Sequence, residues 1–331
     1  MNTVDLAQRP TADPLLRLLA HGFATAYHHP PGAVWHAPYA FHLTSSAVPP
    51  GPQLPGTTPR AGWVAAANWS VGVAVAPRAD GMLRCGSLNH PADGAELPLT
   101  GPAAPAPGWA ARPYAALRAL AAAGYGRGGA DLHLNAALPA AVGLPVAESL
   151  ECAVALAVAG VHAERGGRPL PRARLAELLG AAVPGDDALR RAVLFARSGH
   201  LLAADGSTYR PLPAQDGGPD PCLLLLTSRT TADGHEGAPS GAGDTALANG
   251  IALAVREALR AGARSAWWPG KRPGRSVLLL APRDRRAAIR TAAADAFARC
   301  GLPVPRFLRI ALAAPADRAD RHPHPPTTGK E

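Results

Sequence analysis

Between a strand-like run, Asp131 to Asn135, and a helix-like run, Glu151 to Val158, the chain reads LPAAVGLPVAESL over Leu138 to Leu150. A loop that hands a strand over to a helix is a natural anion cradle, because backbone amides and the positive end of the helix converge there. Cradles of this kind are rich in Gly and Ser. Here the side chains are almost all aliphatic, and Pro145 removes a backbone donor as well. The pattern therefore predicts the frame of a ligand-binding α/β unit with the polar chemistry of its loop removed.

The chain has 331 residues, 47% of them apolar, which suits two domains with ordinary cores. Its formal charge of +9 points at first to an anionic partner. The cationic residues are spread along the chain, however, and 31 of the 33 are Arg, with much Ala, Gly and Pro beside them. A GC-rich genome produces that bias without selection for binding, so charge alone argues for no partner. The four cysteines, Cys85, Cys152, Cys222 and Cys300, are too far apart for a metal knuckle or a C-x-x-C redox pair. No basic segment followed by an apolar run opens the chain, and the apolar stretch Leu150 to Val161 is too short to span a bilayer. The expectation is a cytoplasmic protein without a membrane partner.

Apolar spacing predicts a helix over Leu15 to Tyr27, ended by Pro30-Pro31-Gly32, and a strand near Val34. Trp63 to Pro77 and Met82 to Ser87 read as two strands paired as a hairpin through Asp80-Gly81. Helices are expected at Tyr114 to Ala123, Glu148 to His162, Arg172 to Leu179 and Asp186 to Arg197, with a strand at Leu201 to Ala204. Pro211 to Asp220 is the expected linker. Beyond it come a strand (Cys222 to Thr227), a helix (Thr245 to Ala261), a strand (Ser276 to Ala281), a helix (Arg285 to Arg299) and a strand (Phe307 to Leu312). That order suggests a small split sheet with its helices on one face.

Four segments in this order, Val34 to Leu43, Gly128 to Val158, Val183 to Ala204 and Ser276 to Ala311, resemble galactokinase and, more broadly, the GHMP family of small-molecule kinases. The resemblance implies an α+β, two-domain GHMP-kinase-like fold. Residues 1–212 would form a ribosomal S5 domain 2-like domain, 220–314 a shortened ferredoxin-like domain, and 315–331 a disordered tail. It also implies ATP-dependent sugar phosphorylation, with ATP and Mg²⁺ as cofactors.

The side chains that would carry this chemistry are missing. The family's sugar-binding motif falls on Ala37 to Val48, where Ala40, Ser46 and Ala47 replace its Arg, Glu and His. None of the three supplies the charge-assisted hydrogen bonds that tell one hydroxyl from another. In the phosphate loop Pro139, Gly143 and Leu144 are kept, the three Ser positions are Pro145, Val146 and Ala147, and Glu148 would repel a triphosphate. The acidic residue of the third motif aligns with Leu189, which has no proton to give or take. Asp186 and Asp187 lie nearby, either as substitutes or as caps of the following helix. The fourth, glycine-rich motif has become Gly270 to Arg275, containing Lys271, Arg272 and Arg275 and preceded by Trp267-Trp268. This is either a solvated turn over packed indoles or an anion or nucleic-acid contact.

Three functions remain open on the sequence. One is a pseudokinase that binds, senses or scaffolds through an unknown protein or small-molecule ligand, with no cofactor and no metal site. The second is a living kinase for a different metabolite that uses Asp186 or Asp187, with Glu148 or Glu151 on Mg²⁺. The third is a nucleic-acid contact at Lys271 to Arg275, disfavoured by the spread of charge.

Overall fold

A computed structural model describes residues 13–43, 62–138, 142–212, 221–228 and 241–320. The chain opens with α1 (Pro14–Tyr27), which begins on Pro14 and is capped by Asp13, whose Oδ1 accepts from the Leu15 amide at 2.8 Å. Its stripe of Leu19, Ala20 and Phe23 is buried against one face of a large sheet, over Val34, Ala74 and Ala76.

That sheet contains β1 (Ala33–His42), β2 (Trp63–Pro77), β3 (Met82–Ser87), β4 (His90–Pro98), β5 (Gly129–Ala136), β6 (His200–Ala203), β7 (Tyr209–Pro211) and β12 (Asp317–Arg318). The order is β12-β1-β2-β5-β3-β4, and the β6–β7 ribbon pairs with the start of β2. Alternate residues of the central strands point to opposite faces, as period-2 geometry requires. On β5, Ala130, Leu132 and Leu134 enter the main core, which leaves Asp131 and His133 on the α1 face. The other face is covered by α2 (Gly108–Ala122), α3 (Ala147–Ala163), α4 (Arg172–Ala182) and α5 (Asp187–Phe195). Nearly every residue of α3 from Glu148 to Val161 is buried, so this helix runs through the centre of the lobe.

Three features differ from the expectation. The Asp80-Gly81 turn does reverse the chain, but β2 and β3 are not neighbours. β5 lies between them, antiparallel to β2 and parallel to β3. A parallel partner for β3 needs its crossover helix α2, and Gly129 (φ +91) starts β5 in such close approach to Met82 that a Cβ would strike the Met82 backbone. Strand β4 was not expected at all, because HPADGAELP is poor in β-formers. It is an exposed edge strand held by its backbone register on β3. Finally, residues 315–320, expected as the start of a disordered tail, return to the first lobe. Ala316 is buried, β12 pairs with β1, and Asp320 Oδ1 accepts from the Val34 amide at 3.2 Å. Residues 321–331 lie outside the described residues.

The second lobe runs β8 (Pro221–Thr227), α6 (Gly241–Arg260), β9 (Ser265–Trp267), β10 (Ser276–Pro282), α7 (Arg286–Arg299) and β11 (Arg306–Ile310). Its sheet has the order β11-β8-β10-β9 with all pairs antiparallel, a βαββαβ unit of the ferredoxin-like kind. The unbroken Leu223 to Leu226 run is buried on both sides. Leu224 and Leu226 meet α6 and α7, while Leu223 and Leu225 join the core of the first lobe. The helices thus occupy one face, and the first lobe covers the other.

Candidate functional site

The N-terminal ends of α3 and α5, the end of β1 and the connection 268–275 converge between the lobes. The loop before α3 is pinned to the second lobe. Ser276 Oγ donates to the Val142 carbonyl, and Gly143 (φ +78) passes so close that a Cβ would lie 2.6 Å from Ser276 Oγ. Leu144 is buried in the main core. Tyr39 Oη donates to the Leu138 carbonyl and accepts from its amide, both at 3.2 Å, and burial raises its pKa despite that amide donor. Pro139, Ser46 and Ala47 lie outside the described residues. Ala40 is buried within β1, where a methyl group packs and nothing polar is offered.

The carboxylates at the start of α3 are already engaged. Glu148 Oε1 accepts from the Asp186 amide at 3.1 Å and from Arg112 Nη2 at 3.3 Å. Glu151, fully buried, accepts from Arg112 Nε and, at 3.0 and 2.9 Å, from Arg190 Nε and Nη2. Arg190, equally buried, also donates to the Val183 carbonyl and to Asp187 Oδ1, both at 2.8 Å. Burial pushes the Glu151 carboxyl up against the pull of Arg112 and Arg190. Asp187, the partner of Arg190, has its side chain about half exposed.

Asp186 sits at the rim of the cleft. Its Oδ1 caps α5 by accepting from the amides of Ala188 and Leu189 at 3.1 and 3.4 Å. Its Oδ2 accepts from His42 Nε2 at 2.7 Å and from Lys271 Nζ at 3.0 Å. Burial acts to raise its pKa, but the hydrogen bonds from His42 and Lys271 prevail and hold the carboxyl well below the usual carboxylate range. The same corner is tied through the backbone, since the His42 amide donates to the Pro269 carbonyl at 2.8 Å. Leu189, at the acidic position of the resemblance, is buried in the main core and presents nothing to the cleft. Trp267 packs on the first-lobe core and Trp268 on the second-lobe core.

The carboxylates available for a cation, Glu148 and Glu151, are neutralised by arginines, and the loop that should offer hydroxyls offers methyl groups. No group of three or more His, Cys, Asp or Glu placed to hold a metal occurs among the described residues. Sequence reasoning found Glu148, Glu151 and Asp186 but not their partners Arg112, His42 and Arg190. The available signal was the i,i+3 spacing of two glutamates on an otherwise apolar helix, which requires cations from elsewhere in the fold.

No protein-family model matches the chain. A galactokinase from Streptomyces coelicolor is 40% identical over 94 residues, a match that spans 27% of this chain and 24% of that enzyme. Among solved structures, Lactococcus lactis galactokinase, determined with galactose, superposes with a TM-score of 0.68 at 14% identity, covering 92% of this chain and all of that one. This is a galactokinase-like chain with the GHMP-kinase fold. The mevalonate kinase of Methanococcus jannaschii shares the fold more distantly, with a TM-score of 0.51 at 10% identity over 85% of this chain. A putative sugar kinase from Campylobacter jejuni does likewise, with a TM-score of 0.54 at 13% identity. The galactokinase-like fold is thus retained while the motif positions carry other side chains. No helix among the described residues is long and apolar enough to cross a membrane.

Proposed function

We propose that this galactokinase-like chain is a cytoplasmic pseudokinase: it has lost ATP-dependent sugar phosphorylation and acts by binding a small molecule or a partner protein. One observation carries the reading. Every acidic side chain that might replace the missing machinery already has a cationic partner of its own, Glu148 and Glu151 on Arg112 and Arg190, Asp187 on Arg190, and Asp186 on Lys271, with His42 hydrogen-bonded to the same carboxylate. Phosphoryl transfer relies on positioned charge around the nucleotide phosphates and the metal, so losing several such groups together removes transition-state stabilisation at each step.

Thermal unfolding with and without ATP·Mg²⁺, followed by ATP turnover against a panel of sugars including galactose, tests this. The expected result is an unchanged melting temperature and no turnover. A clear rise in melting temperature, together with turnover that Asp186→Ala abolishes, would overturn it.

A second reading is favoured by one specific feature, the meeting of Asp186, His42 and Lys271 from three separate elements at the cleft rim. An ionised carboxylate that accepts from His42 and Lys271 can orient a substrate hydroxyl, and the same turnover assay decides the matter. Nucleic-acid binding through the 270–275 turn is weakened by the pairing of Lys271 with Asp186. It predicts retardation of DNA or RNA at low salt that disappears steeply as salt is added.

A further inference from the structure

The cationic residues run the length of the chain, but the net charge does not. Residues 241–314 hold 13 of the 33 Lys and Arg and 4 of the 24 Asp and Glu, so the whole formal charge of +9 falls within the second lobe and the remainder is neutral. A GC-rich genome supplies Arg everywhere, but it does not withhold acids from one lobe. The bias is strongest from Arg283 to Arg309, where seven Arg stand against two Asp over α7, β11 and their connection.

This stretch forms a surface turned away from the first lobe. Leu308 and Ile310 of β11 join the first-lobe core, so the alternate residues Phe307 and Arg309 lie on the helix side of the sheet. There Ala287, Arg290 and Thr291 of α7 and Phe307 line an open pocket of about 320 Å³. The Arg290 guanidinium lies over the Phe307 ring, 5.4 Å from its centre, which sets a cation and an aromatic surface side by side. Because α7 returns the chain from β10 to the parallel strand β11, it runs antiparallel to β11. Arg286, about one turn before Arg290, and Arg309, two residues beyond Phe307, therefore flank the same end of the pocket. All three arginines are exposed, and none of their side chains makes a hydrogen bond or ion pair among the described residues. Elsewhere in the lobe Arg260 and Arg299 share Glu257, and Lys271 is held by Asp186. Of the two acids in the stretch, Asp284 stands beside Arg285 at 3.7 Å and Asp295 lies about one turn beyond Thr291, and neither pairs with the trio.

Unanswered guanidinium groups around a pocket with an aromatic wall suit a ligand in which phosphates alternate with flat rings. We infer that the α7–β11 face is a binding surface for single-stranded nucleic acid, with Arg286, Arg290 and Arg309 on its phosphates and a base stacked in the pocket against Phe307 and Arg290. A bilayer would find little to bury here, since Val304 is the one exposed large apolar side chain of this lobe among the described residues. The surface is separate from the cleft and does not depend on what the cleft binds.

The test is fluorescence anisotropy of a labelled oligouridylate of about 12 nucleotides with the full chain, titrated at several salt concentrations. Saturable binding in about the micromolar range is expected at low salt, with log affinity falling linearly against log salt. Arg286→Gln with Arg290→Gln removes two exposed charges and should weaken binding at least about tenfold, with a salt slope shallower by roughly one. Arg256→Gln with Arg272→Gln removes the same charge from exposed positions elsewhere in the lobe and should leave most of the affinity in place. Phe307→Leu keeps an apolar side chain on the second-lobe core but removes the ring, and should weaken binding about fivefold or more. No saturable binding at low salt overturns the proposal, and so does an equal loss in the two double variants, because binding would then follow net charge alone. A duplex of the same length bound as tightly, or polyglutamate competing as well as unlabelled oligouridylate, also overturns it, because neither brings unpaired bases.

Discussion

Glu151 and Asp131 are each gripped by two arginines on opposite sides of the same sheet, and the two clusters behave in opposite ways. Glu151, fully buried between Arg112 and Arg190, is pushed up in pKa because loss of solvent outweighs the arginines. Asp131 accepts from Arg78 Nη1 at 3.0 Å, from Arg84 Nε and Nη2, and from His29 Nε2 at 3.0 Å. Burial opposes its ionisation as well, yet the hydrogen bonds from Arg84, Arg78 and His29 win, and its pKa falls. The difference lies in the acids as well as in the arginines, since Glu151 is sealed from solvent whereas Asp131 also accepts from His29, and Arg112 is as exposed as Arg84. Arg190 is buried with its carboxylate, whereas Arg78 and Arg84 keep part of their surface in water, so only the inner cluster has both charges removed from solvent.

Arg190→Met should give the largest effect that separates the two clusters. It leaves Glu151 fully buried with Arg112 alone, and chemical denaturation should register a loss of about 3–5 kcal/mol. Adding Glu151→Leu to that variant should recover most of the loss, since an apolar pair of similar volume replaces a buried ion pair at little cost. A double variant no more stable than the single one would show that the network carries more than compensated charge.

On the outer face, Asp131→Asn removes the charge but keeps the shape. A smaller loss of about 1–3 kcal/mol is expected there, because Arg78 and Arg84 can turn to solvent. A loss equal to that of Arg190→Met would erase the distinction drawn between the faces.

The smallest effect is in the pH dependence, and its sign differs between the clusters. A carboxylate with a depressed folded pKa contributes stability that is present above its unfolded pKa of about 3.9 and lost as pH falls through the folded value. The gap between wild type and Asp131→Asn should therefore shrink on acidification below about pH 4. Glu151 has a raised folded pKa, so its protonated form is the better accommodated one. The gap between wild type and Glu151→Gln should narrow as pH rises from about 4.3 through the folded pKa. Parallel slopes for the two variants, measured by denaturation across that range, would contradict the assignment.

Much of this molecule is readable in one dimension. Helical spacing places α1, α3 and α7 to within a few residues, and the apolar run Cys222 to Thr227 reads as the strand it forms. Adjacency is harder to read. The Asp80-Gly81 turn reports a reversal of direction but not which strand fills the space beside it, because β5 arrives only after the whole of α2. β4 escaped notice because its pairing uses backbone groups that every residue carries. At the cleft the losses are legible position by position, while the compensation is not. Arg112 and Arg190 stand 39 residues before and after Glu151, and nothing in their neighbours announces a shared partner.

The return of β12 to β1 gives the first lobe a late closing stitch. Trp35 pairs with Arg318, Arg172 Nη2 donates to the Ala316 carbonyl, and the Ala319 amide donates to the Val34 carbonyl. On the ribosome, β1 emerges early and waits with an open edge until almost all the remaining described chain, second lobe included, has been made. An unpaired strand edge is a template for other chains, so over that interval the start of β1 is open to pairing with the wrong partner. Cutting the chain after the first lobe would make that interval permanent.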